Sequence, residues 1–371
     1  MRRGLMGWNP DELPKGTLQE RIWRLQAGMK REGFDAYLFY TNLVRPSAVT
    51  YLTGFTPYWS DGIMLLPRHG EPVFATALSK RVSGWIRTTS PVGEIVNTPK
   101  PGVAIGQRLA AARARKVGIL ELDNFPSGLY DEITGSAPGV WLHDASAPFA
   151  AARRGIDIPE RDLLRKADAL ACASLAQVDP SQARDAGSMA GLVEKHARLN
   201  GAEEAYIAVA PDLDADRRMI RVTKPVPLAN RFAIRASIAY KGSWVRRTRT
   251  FTSDTHAARP MFRAEAWFEQ SVAQIFAGRL MAAQLAAHLK NLPGAELKNW
   301  MAESCVGSYP LEFVGGSNMV EKDTPANGSF LVLSVELTVD GVPWLGAAPA
   351  IVGGGLGPTI AAPRESVETR S

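Results

Sequence analysis

The sequence predicts an α/β protein (α+β in its second part) built from two unlike parts, and three observations predict it. The chain has 371 residues, which at roughly 100–200 residues per domain is room for two or three. Residues 1–150 alternate helical and extended patterns, the rhythm of an α/β domain. From residue 160 the rhythm becomes helix pair, strands, helix pair, strands, an approximate duplication that implies two similar halves around a central sheet.

In chain order, Leu18 to Glu32 carries Ile22, Trp23, Leu25 and Met29 at helical spacing, with Gly33 as a stop. Asp35 to Tyr40 reads as a buried strand. Gly62 to Pro67 and Pro72 to Thr76 flank the polar turn Arg68-His69-Gly70-Glu71, a hairpin signal. Lys116 to Leu122 is a further strand, and Ala151 to Pro159 reads as a linker. Helices are predicted over Glu160 to Val178 and Ser181 to Leu199, separated by Asp179-Pro180. Strands follow at Ala205 to Ala210, Arg231 to Tyr240 and Ser243 to Phe251, the last two joined at Lys241-Gly242. Two more helices are predicted, about Arg263 to Lys290 and Ala295 to Glu303, then strands at Tyr309 to Val314, Phe330 to Val339 and Pro349 to Val352. The tail from Pro358 to Ser371 lacks apolar periodicity and is expected to be disordered.

Composition excludes several classes. With 46% hydrophobic and 22% charged residues, the chain has enough apolar surface to fold, unlike a disordered one. No apolar run approaches the ~18–20 residues of a membrane span. Two cysteines, Cys172 and Cys305, cannot make a disulfide framework or a four-cysteine zinc site. Met1 to Trp8 contains no apolar stretch of signal-peptide type, so a reducing cytoplasm is expected. The formal net charge is +6, which favours an anionic partner. The charge is concentrated between Arg217 and Arg259, where Arg and Lys recur and Asp254 is the only acid.

Motifs then narrow the reading. Tyr51-Leu52-Thr53-Gly54-Phe55 precedes a strand pair with Gly70-Glu71-Pro72. Arg161-Asp162-Leu163-Leu164-Arg165-Lys166-Ala167 opens the second part. Tyr240-Lys241-Gly242 precedes Thr248-Arg249-Thr250-Phe251, and Phe330-Leu331-Val332-Leu333-Ser334-Val335-Glu336 follows later. In order and spacing these resemble the creatinase / aminopeptidase P / methionine aminopeptidase family. The resemblance implies a creatinase-like N-terminal domain over 1–150, a pita-bread domain with pseudo-twofold halves over 160–357, and a tail over 358–371. It also implies a homodimer in which the first domain approaches the partner's pocket.

Peptidases of that family hold two divalent metals with two Asp, one His and two Glu, hard ligands that let the ions generate a hydroxide and polarise a carbonyl. Carried onto this sequence, the first Asp falls on Arg235 and the second on Arg246. The His falls near Ser308, in Val306-Gly307-Ser308-Tyr309-Pro310, and the penultimate Glu is kept as Glu336. The final Glu falls near Gly346 or Ala347, and a further His falls near Arg217 or Arg218. An arginine cannot ligate a metal or lose its charge. The expectation is therefore no metal and no cofactor, and a site for a small anion.

The candidates divide as follows. Arg235 and Arg246 either grip a substrate carboxylate or phosphate as a fork or plug a dead site by pairing with Glu336 and other acids. Glu336 is a proton acceptor or orienting group, or the partner of an Arg salt bridge. Arg217 and Arg218 are accessory contacts or solvated loop charges, and Arg249 is structural. His256 follows the pocket strand and has a route inward. Ser308, with Tyr309 beside it, and Cys305 border the former His position, but no sequence-adjacent base activates either as a nucleophile. Phe55, Tyr58 and Trp59 with Asp61 match the region that walls the neighbouring subunit's pocket, or form an ordinary core or interface cluster.

The leading expectation is a metal-independent enzyme acting on a small carboxylate-bearing molecule by hydrolysis of a C–N bond. A catalytically inactive binding protein and a lyase or other proton-transfer enzyme are the alternatives. Nucleic-acid binding ranks lowest, because the arginines converge on a pocket instead of forming an outer stripe.

Overall fold

A computed structural model of the chain describes residues 8–42, 47–55, 60–90, 93–153, 155–222, 224–303, 318–319 and 324–354. The first part runs α1 (Lys15–Glu32), β1 (Ala36–Thr41), α2 (Ser47–Thr53), β2 (Gly62–Pro67), β3 (Val73–Thr76), α3 (Lys80–Thr89), β4 (Glu94–Asn97), α4 (Pro101–Ala111), β5 (Lys116–Ile119), α5 (Ser127–Ser136), β6 (Trp141–Asp144) and α6 (Ser146–Arg153). The six strands form one mixed sheet in the order β4-β3-β2-β1-β5-β6. β2 is antiparallel to both β1 and β3, and the other pairs are parallel.

This sheet is covered on both faces, so β1 is apolar throughout. Tyr37 and Phe39 pack with Ile22, Leu25 and Met29 of α1, while Leu38 packs with Ile105 and Leu109 of α4. Gly33, at φ 72°, closes α1 in the left-handed conformation. Trp23, expected on the buried face of α1, is 59% exposed, since the buried stripe runs through Leu18, Ile22, Leu25 and Met29.

The second part runs α7 (Ile158–Leu175), α8 (Ala186–Leu199), β7 (Glu204–Ala210), β8 (Arg231–Tyr240), β9 (Ser243–Thr252), α9 (Thr255–Ala273), α10 (Met281–Leu289), β10 (Ala295–Glu303), β11 (Asn318–Met319), β12 (Phe330–Val339) and β13 (Val342–Ile351). The sheet order is β11-β10-β12-β13-β9-β8-β7. Two cores correspond to the two halves: α7 and α8 pack on β7–β9, and α9 and α10 pack on β12 and β13. The halves join where β13 meets β9, at Ala347 opposite Thr248.

Several sequence expectations are corrected. Ala295 to Glu303 is not a helix but β10, antiparallel to β12. Its good helix formers are overridden by ladder pairing, which is a tertiary contact. The single helix expected over Arg263 to Lys290 is two, broken before Met281 with Gly278 at φ 70°. α9 starts earlier than expected, at Thr255, where the Asp254 side chain accepts the His256 backbone N–H as an N-cap. β13 begins at Val342, seven residues before the predicted strand. Of the expected linker, residues up to Arg153 close α6 and those from Ile158 open α7. The strand expected over Tyr309 to Val314 lies outside the described residues.

Two polar clamps join the parts. Arg21 of α1 makes two bonds to Asp157 (2.6 and 2.9 Å) and donates to the Tyr51 carbonyl (2.7 Å). Beside it Arg153 pairs with Glu160, and both guanidiniums stack on the Tyr51 ring. Farther along, Glu12 accepts from Lys166 (2.6 Å) and Tyr240 (2.8 Å) and pairs with Lys241.

The basic segment is partly neutralised, by acids from elsewhere in the chain and by its own Asp254. Arg231 pairs with Asp214 and Asp254, Arg247 with Asp168, and Lys241 with Glu12. Among the described residues no helix is long and apolar enough to cross a membrane.

Candidate functional site

Two hairpins set the site. β8 turns into β9 through Lys241-Gly242, both with positive φ (48° and 77°). β12 turns into β13 through Asp340-Gly341, again both positive (49° and 82°). Two consecutive left-handed residues make the type I′ turn that matches the twist of the strands. The turn fixes the register, and a one-residue slip would send every side chain to the opposite face.

In the register observed, Arg235 lies opposite Ala208 and Thr248, Thr248 opposite Ala347, and Ala347 opposite Ser334. On one side of this row Arg246 lies opposite Ser237, and Glu303 opposite Val332. On the other side Glu336 lies opposite Leu345 and Asn299. Directly opposed residues share a face and alternate residues return to it. Arg235, Arg246, Glu303 and Glu336 therefore share one face, with alanines, serines and threonines and with Tyr206, Trp244, Val332 and Leu345. Of the two positions open for the last family Glu, Ala347 is on this face. Gly346 points away, under the Trp344 ring, where an added Cβ would come within 2.0 Å of it.

Arg246 and Glu303 meet in a buried ion pair. Their strands are three apart in the sheet, roughly 14 Å at the usual strand spacing. Side chains can close that gap only if the sheet curves toward this face. The loop after β7 folds over one end, where Leu213 packs on Ala210, Ala233 and Leu345. From this loop Arg217 reaches Glu336, Nη1 to Oε1, at 2.6 Å. That pair is about one-third exposed.

Arg235 is half-buried and, among the described residues, has no ion-pair or hydrogen-bond partner. Burial, and then the like charge of Arg246, weaken its hold on its proton, while Glu303 acts in the opposite sense. Burial also pushes the Glu303 carboxyl above its usual range, although both guanidiniums pull it down. The Arg246 Nε is buried without a partner among the described residues.

The other predicted residues lie as follows. Arg218 is turned to solvent and held by Asp216 of its own loop. His256 is exposed in the first turn of α9. Arg249 and Arg247 alternate onto the helix-covered face, Arg247 against Asp168 of α7. Phe55 belongs to the first part's core, edge-on to Phe74 and Trp85. Tyr58, Trp59, Cys305, Ser308 and Tyr309 lie outside the described residues. Glu303 is the member that sequence reasoning missed. Its signal was available: it falls on the alternation of Asn299 and Met301, but only once the segment is read as a strand.

The donor set does not fit the family's metal pair. On this face Arg235 and Arg246 are guanidiniums, which have no lone pair to give, and Ala347 has no side-chain donor. Among the described residues no group of three His, Cys, Asp or Glu could hold an ion.

The creatinase/prolidase N-terminal domain family matches residues 21–154. Those residues are a creatinase/prolidase N-terminal domain. No curated protein matches the chain. Over 91% of the chain the fold is the pita-bread fold of solved prolidases. The Xaa-Pro dipeptidase from Bacillus anthracis matches at a TM-score of 0.69 with 16% identity, covering 91% of this chain and 95% of its own. The prolidase from Pyrococcus horikoshii OT3 matches at 0.67 with 13% identity, covering 91% and 96%. The N-terminal domain of FACT complex subunit SPT16 from Cicer arietinum (chickpea) matches at 0.63 with 15% identity, covering 91% and 94%. At these identities the likeness outside residues 21–154 is one of fold.

Proposed function

We propose that the chain is a metal-independent, creatinase-like enzyme that acts on a small carboxylate-bearing molecule and hydrolyses a C–N bond. The observation that carries this is Arg235, a half-buried guanidinium with no ion-pair or hydrogen-bond partner among the described residues, on the same sheet face as a second arginine. A cation so placed is satisfied by an anion from outside. Arg235 binds the substrate carboxylate, and Arg246, positioned by Glu303, adds charge where an oxyanion develops. Glu336, oriented by Arg217, accepts a proton from the attacking water, and the proton passes to the leaving nitrogen. The same set would serve a lyase that moves a proton next to a carboxylate. In this reading the protein is cytoplasmic and homodimeric, with the first domain near the partner's pocket, and binds neither membrane nor nucleic acid.

A second reading is a catalytically inactive binding protein. It is favoured by the pairing of both carboxylates of the face, Glu303 with Arg246 and Glu336 with Arg217. A thermal-shift screen of carboxylates, guanidino acids and lactams, with Arg235→Ala as control, tests the site. A ligand at about 100 times its Kd adds roughly 2.7 kcal/mol. Hits lost in Arg235→Ala and then turned over support the enzyme, and hits without turnover support the binding protein. No hit with folded protein rejects the anion site.

A further inference from the structure

We propose that the cleft between α1 and α6, in the first part of the chain, is a second binding site, for a small carboxylate with an apolar body. It is built from residues other than those of the sheet face and does not rest on the reading given above.

The cleft has a volume of about 370 Å³, within the range of small-molecule sites. Its walls are small and apolar: Leu25, Ala27 and Gly28 on α1, and Pro148, Ala151 and Ala152 on α6. Arg24 and Arg31 also line it. They are two turns apart on α1, about 10 Å along its axis. Gly28 lies between them, and the Arg31 guanidinium stands 3.8 Å from where a Cβ on Gly28 would be. Glu32 is the one carboxylate of the lining. Among the described residues none of these three charged side chains has an ion-pair partner. Two guanidiniums against one carboxylate favour an anion.

Tyr37 of β1 decides the assignment. It lines the cleft from beneath and is 1% exposed. Its hydroxyl is buried with no hydrogen-bond partner among the described residues. A buried hydroxyl left so is costly, and an acceptor brought in through the cleft removes that cost. The ring is seated by Gly118 of β5, its neighbour in the sheet, where an added Cβ would come within 2.6 Å of it. Burial, and then Glu32, push the hydroxyl up to about 12, against the pull of Arg31. It therefore keeps its proton at neutral pH and donates to a carboxylate oxygen, with Arg31 supplying the opposite charge. The apolar body of the ligand lies along the small residues of the two helices.

Titration calorimetry of the full chain carrying Arg235→Met, which removes the anion site of the sheet face, tests this with hexanoate and with hexylamine as the cationic control. Hexanoate should bind and hexylamine should not. Gly28→Leu puts a good helix former into α1 and fills the cleft, so it should abolish binding. Tyr37→Phe and Arg31→Gln should each weaken it by about tenfold. Tyr37→Phe removes a hydroxyl bound to no other described residue, so it should leave the melting temperature unchanged while affinity falls. No binding of hexanoate, or binding that survives Gly28→Leu or both of the other variants, overturns the site. Hexylamine binding as well as hexanoate overturns the choice of an anion. A lowered melting temperature in Tyr37→Phe without hexanoate binding assigns the hydroxyl to water and overturns the proposal.

Discussion

Arg235 costs the fold stability where it stands, because it is partly desolvated and faces Arg246. Replacing such a charge with an apolar side chain of similar length should relieve that cost. Arg235→Met is therefore expected to raise stability by about 1 kcal/mol while abolishing anion binding at the sheet face, opposite signs that urea melts and calorimetry on one preparation would show together. Were Arg235 a structural plug, the same change would lower stability. A second residue-scale prediction concerns Glu265 of α9, whose carboxyl is raised above its usual range by burial despite Arg249 nearby. Its folded pKa exceeds the unfolded value, so its stabilising contribution is full below the unfolded pKa of about 4.5 and is lost as pH rises through the folded value. Glu265→Gln should thus gain on the wild type at pH 8, by about 1 kcal/mol, and not at pH 4, in urea unfolding at both.

The two hairpin turns are the elements on which the site depends. Gly341 at φ 82° admits a Cβ only with strain, about 1–2 kcal/mol. Gly341→Ala should lower stability by that amount and loosen the register that sets Glu336 opposite Leu345, so anion affinity should fall with it. The other turn is braced from the first part of the chain. Glu12 is held down to about 2: burial alone would raise it, but Lys166, Lys241 and Tyr240 together outweigh that. Its contribution is present above the unfolded value of about 4.5 and lost as pH falls toward 2. Glu12→Gln should cost roughly 2 kcal/mol at pH 7 and nothing near pH 2, read from thermal melts across that range.

At the scale of the molecule, the two parts are bound by charges buried at their junction. Asp157 both caps α7 and holds Arg21 of α1. Asp157→Ala leaves Arg21 buried and unpaired, a change that typically costs about 3–5 kcal/mol. Calorimetry of the wild type should show one cooperative transition, and the variant should melt lower or in two steps. The ion pairs also explain why a segment so basic in sequence is not a polyanion surface. Asp168, Asp214, Glu303, Glu336 and Glu12 come to it from segments before and after it, most of them distant. Their partners are thereby fixed in place, whereas Arg235 has no ion-pair partner among the described residues.

The strands β2, β8 and β12 were legible with their bounds, because alternation and apolar runs are local signals. The turn Lys241-Gly242 was legible, because left-handed positions favour glycine, but Asp340-Gly341 was not read, since the strand after it was placed seven residues too late. That Arg235 and Arg246 cannot ligate a metal was also legible, since guanidinium chemistry does not depend on context. β10 was not legible: Ala295 to Glu303 has helical residues, and only pairing with β12 makes it a strand. For the same reason Glu303 could not be placed beside Arg246, fifty-seven positions earlier in the chain. The sequence by itself determined the kinds of charge and the alternation that sorts them onto faces. Which charges are cancelled and which are left free was decided by the tertiary structure, because ion pairing depends on distance in space.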